Sequence, residues 1–125
     1  MNLSVRILKS EDLLLELNKY LSSFSLELLD IEVEVYQGNL DINLGLQEGA
    51  DIDTIKENSK RFLTVVFGEE GCKASIDKQY DRLETISSLG FYNEDFKTLV
   101  GKIFNINVVN VLFHEEEDNF YIVFA

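Results

Sequence analysis

Residues 30–46, DIEVEVYQGNLDINLGL, alternate apolar and polar side chains on both sides of Gly38-Asn39. A period of two sustained over both runs fits two strands, each with one wet face, and does not fit an amphipathic helix. Gly and Asn both tolerate positive φ, so Gly38-Asn39 reads as the two-residue turn of a β-hairpin. The pairing then follows. Gln37 lies opposite Leu40, Val35 opposite Ile42, Val33 opposite Leu44 and Ile31 opposite Leu46. Cross-strand partners share a face. Ile31, Val33, Val35, Ile42 and Leu44 therefore make one apolar face, and Asp30, Glu32, Glu34, Tyr36, Asp41 and Asn43 gather on the other. Both strands give the same parity through that turn, a consistency that a chance alternation need not show.

Around this hairpin the periodicity changes. Residues 3–8 read as a short strand or lead-in. Ser10 is placed to cap a helix over 11–23, with Glu11 and Asp12 in its first turn and Leu13, Leu14, Leu17, Tyr20, Leu21 and Phe24 at helical spacing. After a loop at Gly49, Ala50 and Asp51, either Asp51 or Asp53 can cap a second helix. Ile52, Ile55, Phe62 and Val66 form its inner stripe, and the GEEG of residues 68–71 ends it. A third helix is expected over 75–89, with Ile76, Tyr80, Leu83 and Ile86 inward and Gly90 as its stop. Asn93 then caps a fourth, whose inner face is Phe96, Leu99, Val100, Ile103 and Phe104. Gly101 weakens that helix by about 1 kcal/mol relative to Ala and suits a close approach. The C-terminal 108–113 and 120–124 are β-branched and aromatic on both faces, which places them centrally in a sheet, with 115–118 as the turn between them. The expected fold class is α+β: a single domain over residues 1–125, with an antiparallel sheet built from two β-hairpins and helices packed on one face.

The totals narrow the functional classes. At 125 residues and 46% hydrophobic the chain can build a core without disulfides or metal. Cys72 is its one cysteine, which points to a reducing compartment. Arg6, Lys9, Glu11 and Asp12 interrupt the N-terminal apolar stretch, so no secretory signal or membrane span is expected, and the cytoplasm is the simplest location. The formal net charge of −12 sets the chain against direct nucleic-acid binding and against anionic membranes. It suits solubility, or a basic partner.

Candidate chemistry is sparse. Cys72 lies beside Lys73 but follows Glu69 and Glu70, and the one histidine, His114, falls in a hairpin turn, so a structural cysteine is expected. Phosphate-binding glycine motifs and nucleophile elbows are absent from the sequence. Asp51 and Asp53 read as a helix cap with a first-turn charge, and His114 with the glutamates after it as a solvated turn; no metal and no cofactor is expected. What stands out is the acidic row. Its plain reading is the wet face of an antiparallel sheet. Its functional reading is a contact surface for a basic protein, in which Tyr36 packs while the carboxylates steer association. Asp30, Glu32, Glu34, Tyr36 and Asp41 are the contact candidates, joined by Glu115, Glu116 and Glu117 in the second turn. The function expected is a non-enzymatic inhibitor or toxin-immunity type that occludes a basic partner, such as a nuclease toxin. The alternatives are an adaptor that homodimerises or docks in a larger assembly, and a small-ligand or enzymatic domain with a pocket near Tyr80, Tyr92 or Tyr121.

Overall fold

The structure, a computed structural model, describes residues 2–47, 51–85 and 88–125, with the side chains of all of these except 76–85. The loop expected at Gly49 and Ala50 lies outside the described residues. So does Ile86, and Ile76, Tyr80 and Leu83 have no described side chains. The chain runs β1 (Ser4–Lys9), α1 (Ser10–Leu21), a 3₁₀ turn (Ser22–Phe24), β2 (Leu28–Tyr36), β3 (Asn39–Leu46), α2 (Ile52–Thr85), β4 (Ser88–Tyr92), α3 (Asn93–Phe104), β5 (Val108–His114) and β6 (Asn119–Phe124). It is an α+β fold with wholly antiparallel pairing.

Both expected hairpins form. Each takes a third strand instead of joining the other, so the strands make two sheets, in the orders β1–β6–β5 and β2–β3–β4. β4 was not expected: 88–89 read as the end of a helix. Its sequence, SLGFY, contains no β-branched residue and an internal Gly, so it carries little strand signal of its own. It exists because β3 has a second edge to fill, with Leu44 against Leu89 and Ile42 against Phe91.

The first hairpin turns one residue earlier than its sequence suggests. Gln37 and Gly38, both at positive φ (51° and 79°), form the turn, and Tyr36 pairs with Asn39. Val35 thereby meets Leu40, Val33 meets Ile42 and Ile31 meets Leu44. In the expected register Leu40, which is buried, faces the polar Gln37; in the observed one every buried apolar residue of β3 from Leu40 to Leu44 has an apolar partner. Moving the turn by one residue shifts each pairing by two positions, so the faces keep their membership.

Both sheets bury one face in a common core. Leu13, Leu17 and Leu21 of α1, Leu40, Ile42, Leu44 and Leu46 of β3, Phe62, Leu63 and Val66 of α2, Phe96, Leu99 and Val100 of α3, and Val111, Phe120 and Ile122 of the second hairpin form one buried cluster. α1 and α3 bridge the sheets. Phe96 packs on Phe120, ring centres 5.8 Å apart, while Asn93 at the start of the same helix accepts the Leu40 backbone N–H with its Oδ1. Asn18 of α1 accepts the Leu28 N–H at 2.7 Å and donates to the Leu28 carbonyl at 3.1 Å, closing the start of β2 as a neighbouring strand does. Ser10 opens α1 but does not cap it: its hydroxyl donates to Asp118 Oδ2 at 2.6 Å, fastening the β5–β6 turn. Asp51 does cap α2, accepting the Thr54 backbone N–H at 2.9 Å and the Thr54 hydroxyl at 2.8 Å.

The helix that begins at Ile52 ends at GEEG as expected, and α2 is two helices across a kink. Gly68 (φ 79°, ψ 175°) leaves helical geometry, and the chain re-enters a helix at once. The break is a sharp bend: the buried Cys72 thiol donates to the Lys60 carbonyl at 3.4 Å. A straight helix holds residues twelve apart about 18 Å from each other. Gly101 fulfils its expected role, since a Cβ there lies 3.0 Å from the Ile106 carbonyl oxygen that follows the helix.

Candidate acidic groove

The strongest concentration of polar chemistry lies where the turn end of the first hairpin meets the start of α3. The register sets Glu34, Asp41 and Tyr92 side by side across β2, β3 and β4, with Tyr36 and Asn39 forming the next row. These rows point away from the core. β4 ends at Tyr92, and α3 starts with Asn93, Glu94 and Asp95, so the first helical turn closes one side. The result is an open groove of about 750 Å³, lined by Glu34, Tyr36, Asn39, Leu40, Asp41, Tyr92, Asn93, Glu94 and Asp95. Clefts that hold ligands span roughly 300–1,000 Å³.

Its electrostatics run one way. Four carboxylates line it, and none of the lining residues is basic. Lys97, one turn along α3, pairs with Glu94 at 2.9 Å and offsets part of that charge. Glu34 stands directly opposite Asp41. Tyr36 and Tyr92 are 72% and 57% exposed, large for aromatic rings that flank carboxylates. Rings of this kind can offer apolar and cation–π contact, and carboxylates can accept charge-assisted hydrogen bonds. Among the described residues, no three or more His, Cys, Asp or Glu side chains converge to hold a metal ion.

Three of the sequence-derived candidates, Glu34, Tyr36 and Asp41, meet in this groove. Asp30 and Glu32 share the same sheet face and are exposed, but lie farther from the turn, and the Asp30 carboxylate folds across Gly45. Glu115, Glu116 and Glu117 sit on the exposed β5–β6 turn of the other sheet; Glu117 accepts the Tyr121 hydroxyl at 3.2 Å. Burial and this glutamate together raise the Tyr121 pKa above the usual tyrosine value. Of the tyrosines considered for a small-molecule pocket, Tyr92 belongs to the groove and Tyr121 to the other sheet. Glu94 and Asp95 were not among the candidates, and Tyr92 was considered only for a small-molecule pocket, because the helix expected over 75–89 took in the start of β4 and no strand was expected at 90–92, which hid the row joining Tyr92 to Asp41.

A second groove, of about 630 Å³, lies at the α2 bend, with Phe24, Val65 and Cys72 as its apolar part and Lys60, Arg61 and Lys73 around it. Among the described residues no helix is long and apolar enough to cross a membrane. Comparison with protein-family descriptions, curated proteins and solved structures found no match for this chain.

Proposed function

We propose that this chain is a non-enzymatic, acidic binding protein that takes a basic surface of a partner protein into the groove and so blocks the partner's own site, as inhibitors and toxin-immunity proteins do. The observation that carries the reading is the gathering of four carboxylates, Glu34, Asp41, Glu94 and Asp95, with two exposed tyrosines in one groove whose lining holds no basic residue. An Arg or Lys side chain of a partner gains charge-assisted hydrogen bonds and ring contact from such a lining. A partner that acts on nucleic acid, such as a nuclease toxin, presents the required cations. Glu115, Glu116 and Glu117 stand apart from the groove and add to the long-range field that steers encounter. A reducing compartment, the cytoplasm, suits a chain with one free, buried thiol.

Titrating the isotopically labelled protein with a hexa-arginine peptide tests the location. Amide shifts should concentrate at Tyr36, Asn39, Tyr92 and Asn93. Equal shifts along the β5–β6 turn, or none in the groove, count against it.

A further inference from the structure

β2 lies at the edge of its sheet: it pairs with β3 on one side, and among the described residues no strand pairs with the other. The ladder fixes which backbone groups face that open edge. The Leu40 N–H donates to Asn93 Oδ1, just past the end of β4, so Leu40, Ile42 and Leu44 bond toward β4, and Asn39, Asp41 and Asn43 toward β2. Their partners Tyr36, Glu34 and Glu32 therefore bond to β3, and Ile31, Val33 and Val35 turn their N–H and C=O groups outward. None of those three has a hydrogen-bond partner on that side among the described residues. The start of the same edge is already filled. Asn18 accepts the Leu28 N–H and donates to the Leu28 carbonyl, the pair of bonds a neighbouring strand makes. Beyond it runs a line of free donors and acceptors, flanked by the exposed Glu32 and Glu34 and leading to Tyr36 in the groove.

Given the basic partner proposed above, we propose that it is held by strand addition: an extended segment of that partner, with lysine or arginine alternating with apolar residues, pairs antiparallel with β2 over Ile31, Val33 and Val35. Open sheet edges recruit extended segments in this way, main-chain bonds giving affinity and alternate side chains specificity. The pairing decides which side chains meet. Ile31, Val33 and Val35 exchange hydrogen bonds with the residues directly opposite, which share their inward face and are the apolar ones. Glu32 and Glu34 then take the closely spaced positions, with Cα atoms about 4.5 Å from those opposite, where a cation on the added strand meets a carboxylate. Charge also selects against a second copy of this chain. Two β2 edges paired about Val33 set Glu32 against Glu34 on both sides, and charged side chains on an edge strand block such self-pairing.

Blocked peptides alternating valine and lysine test the mode when titrated into the isotopically labelled full chain. One is unmodified, one is N-methylated on its valine amides and one on its lysine amides, all with the same charge. The unmodified and lysine-methylated peptides should bind alike and slow solvent exchange of the Ile31, Val33 and Val35 amides. The valine-methylated peptide should bind about tenfold or more weakly, because it lacks the donors that face β2. Equal affinity of the two methylated peptides, or the reverse order, overturns strand addition; if Tyr36, Asn39 and Tyr92 still shift, the basic-surface reading survives that loss. If no peptide shifts either the groove or the edge, both fall together.

Discussion

Ser10 and Asn93 each begin a helix, and each uses its side chain to reach a segment far away in sequence. Ser10 holds Asp118 and Asn93 holds the Leu40 amide, so the same residues that favour helix starts also fasten a turn and a strand to those starts. Local capping is what their sequence context suggests, and nothing in that context distinguishes the two uses. At Gln37 the balance runs the other way. Its φ of 51° is unfavourable for a residue with a Cβ, and the register that buries Leu40 imposes it. Asn occupies that region far more readily and is favoured ahead of Gly in this kind of turn. Gln37→Asn should therefore raise stability by about 0.5–1 kcal/mol, read as a higher urea midpoint at unchanged slope. A lower midpoint contradicts the assigned turn.

The elements most legible in the sequence were those whose pattern is local. α1, α3 and both hairpins follow from period and turn chemistry, and the inner residues Leu13, Leu17, Phe96, Leu99 and Val100 are all fully buried. β4 was hidden because its strand character comes from β3 and not from SLGFY itself. The α2 bend was half visible: Gly68 does break the helix, but a glycine alone does not say whether the chain leaves or resumes it. β6 is the middle strand of its sheet, and Phe120 and Ile122 are fully buried. Ending the chain after His114 strips both β1 and β5 of their partner, so the truncated protein should lose its cooperative thermal transition by circular dichroism. The cap of α2 makes a prediction in pH. Asp51 is held below the ordinary carboxylate value of 3.8, mainly by the Thr54 backbone N–H and then by its hydroxyl. Because the folded value is the lower one, the cap's contribution is complete above the unfolded value and is lost as pH falls through the folded one. Asp51→Ala should thus lower the urea midpoint at about pH 7, and the gap to the native chain should close as pH falls below the ordinary carboxylate range. A gap that persists in acid assigns the effect to something other than the carboxylate.

At the scale of the whole molecule, the two sheets turn different chemistries outward. One carries an acidic, tyrosine-flanked groove, the other a face with exposed Val5, Ile7 and Leu112 and with Glu117 held by Tyr121 and Asn119, while Lys60, Arg61 and Lys73 stand with Glu57 and Glu69 at the α2 bend. The acidic row was readable from alternation alone. Its concentration into a groove was not, because that depends on a strand and a helix start brought in from fifty residues away. Capture from the native host, using the immobilised chain and a Glu34→Lys, Tyr36→Ala double variant side by side, addresses the groove directly. Both positions are exposed, so the variant should fold as the native chain does. The native chain should retain a basic protein at low salt and release it by ~0.5 M, where the Debye length falls to roughly 4 Å and long-range attraction is lost, and the variant should not retain it. If both retain the same protein, or if salt does not release it, the groove is not what holds the partner.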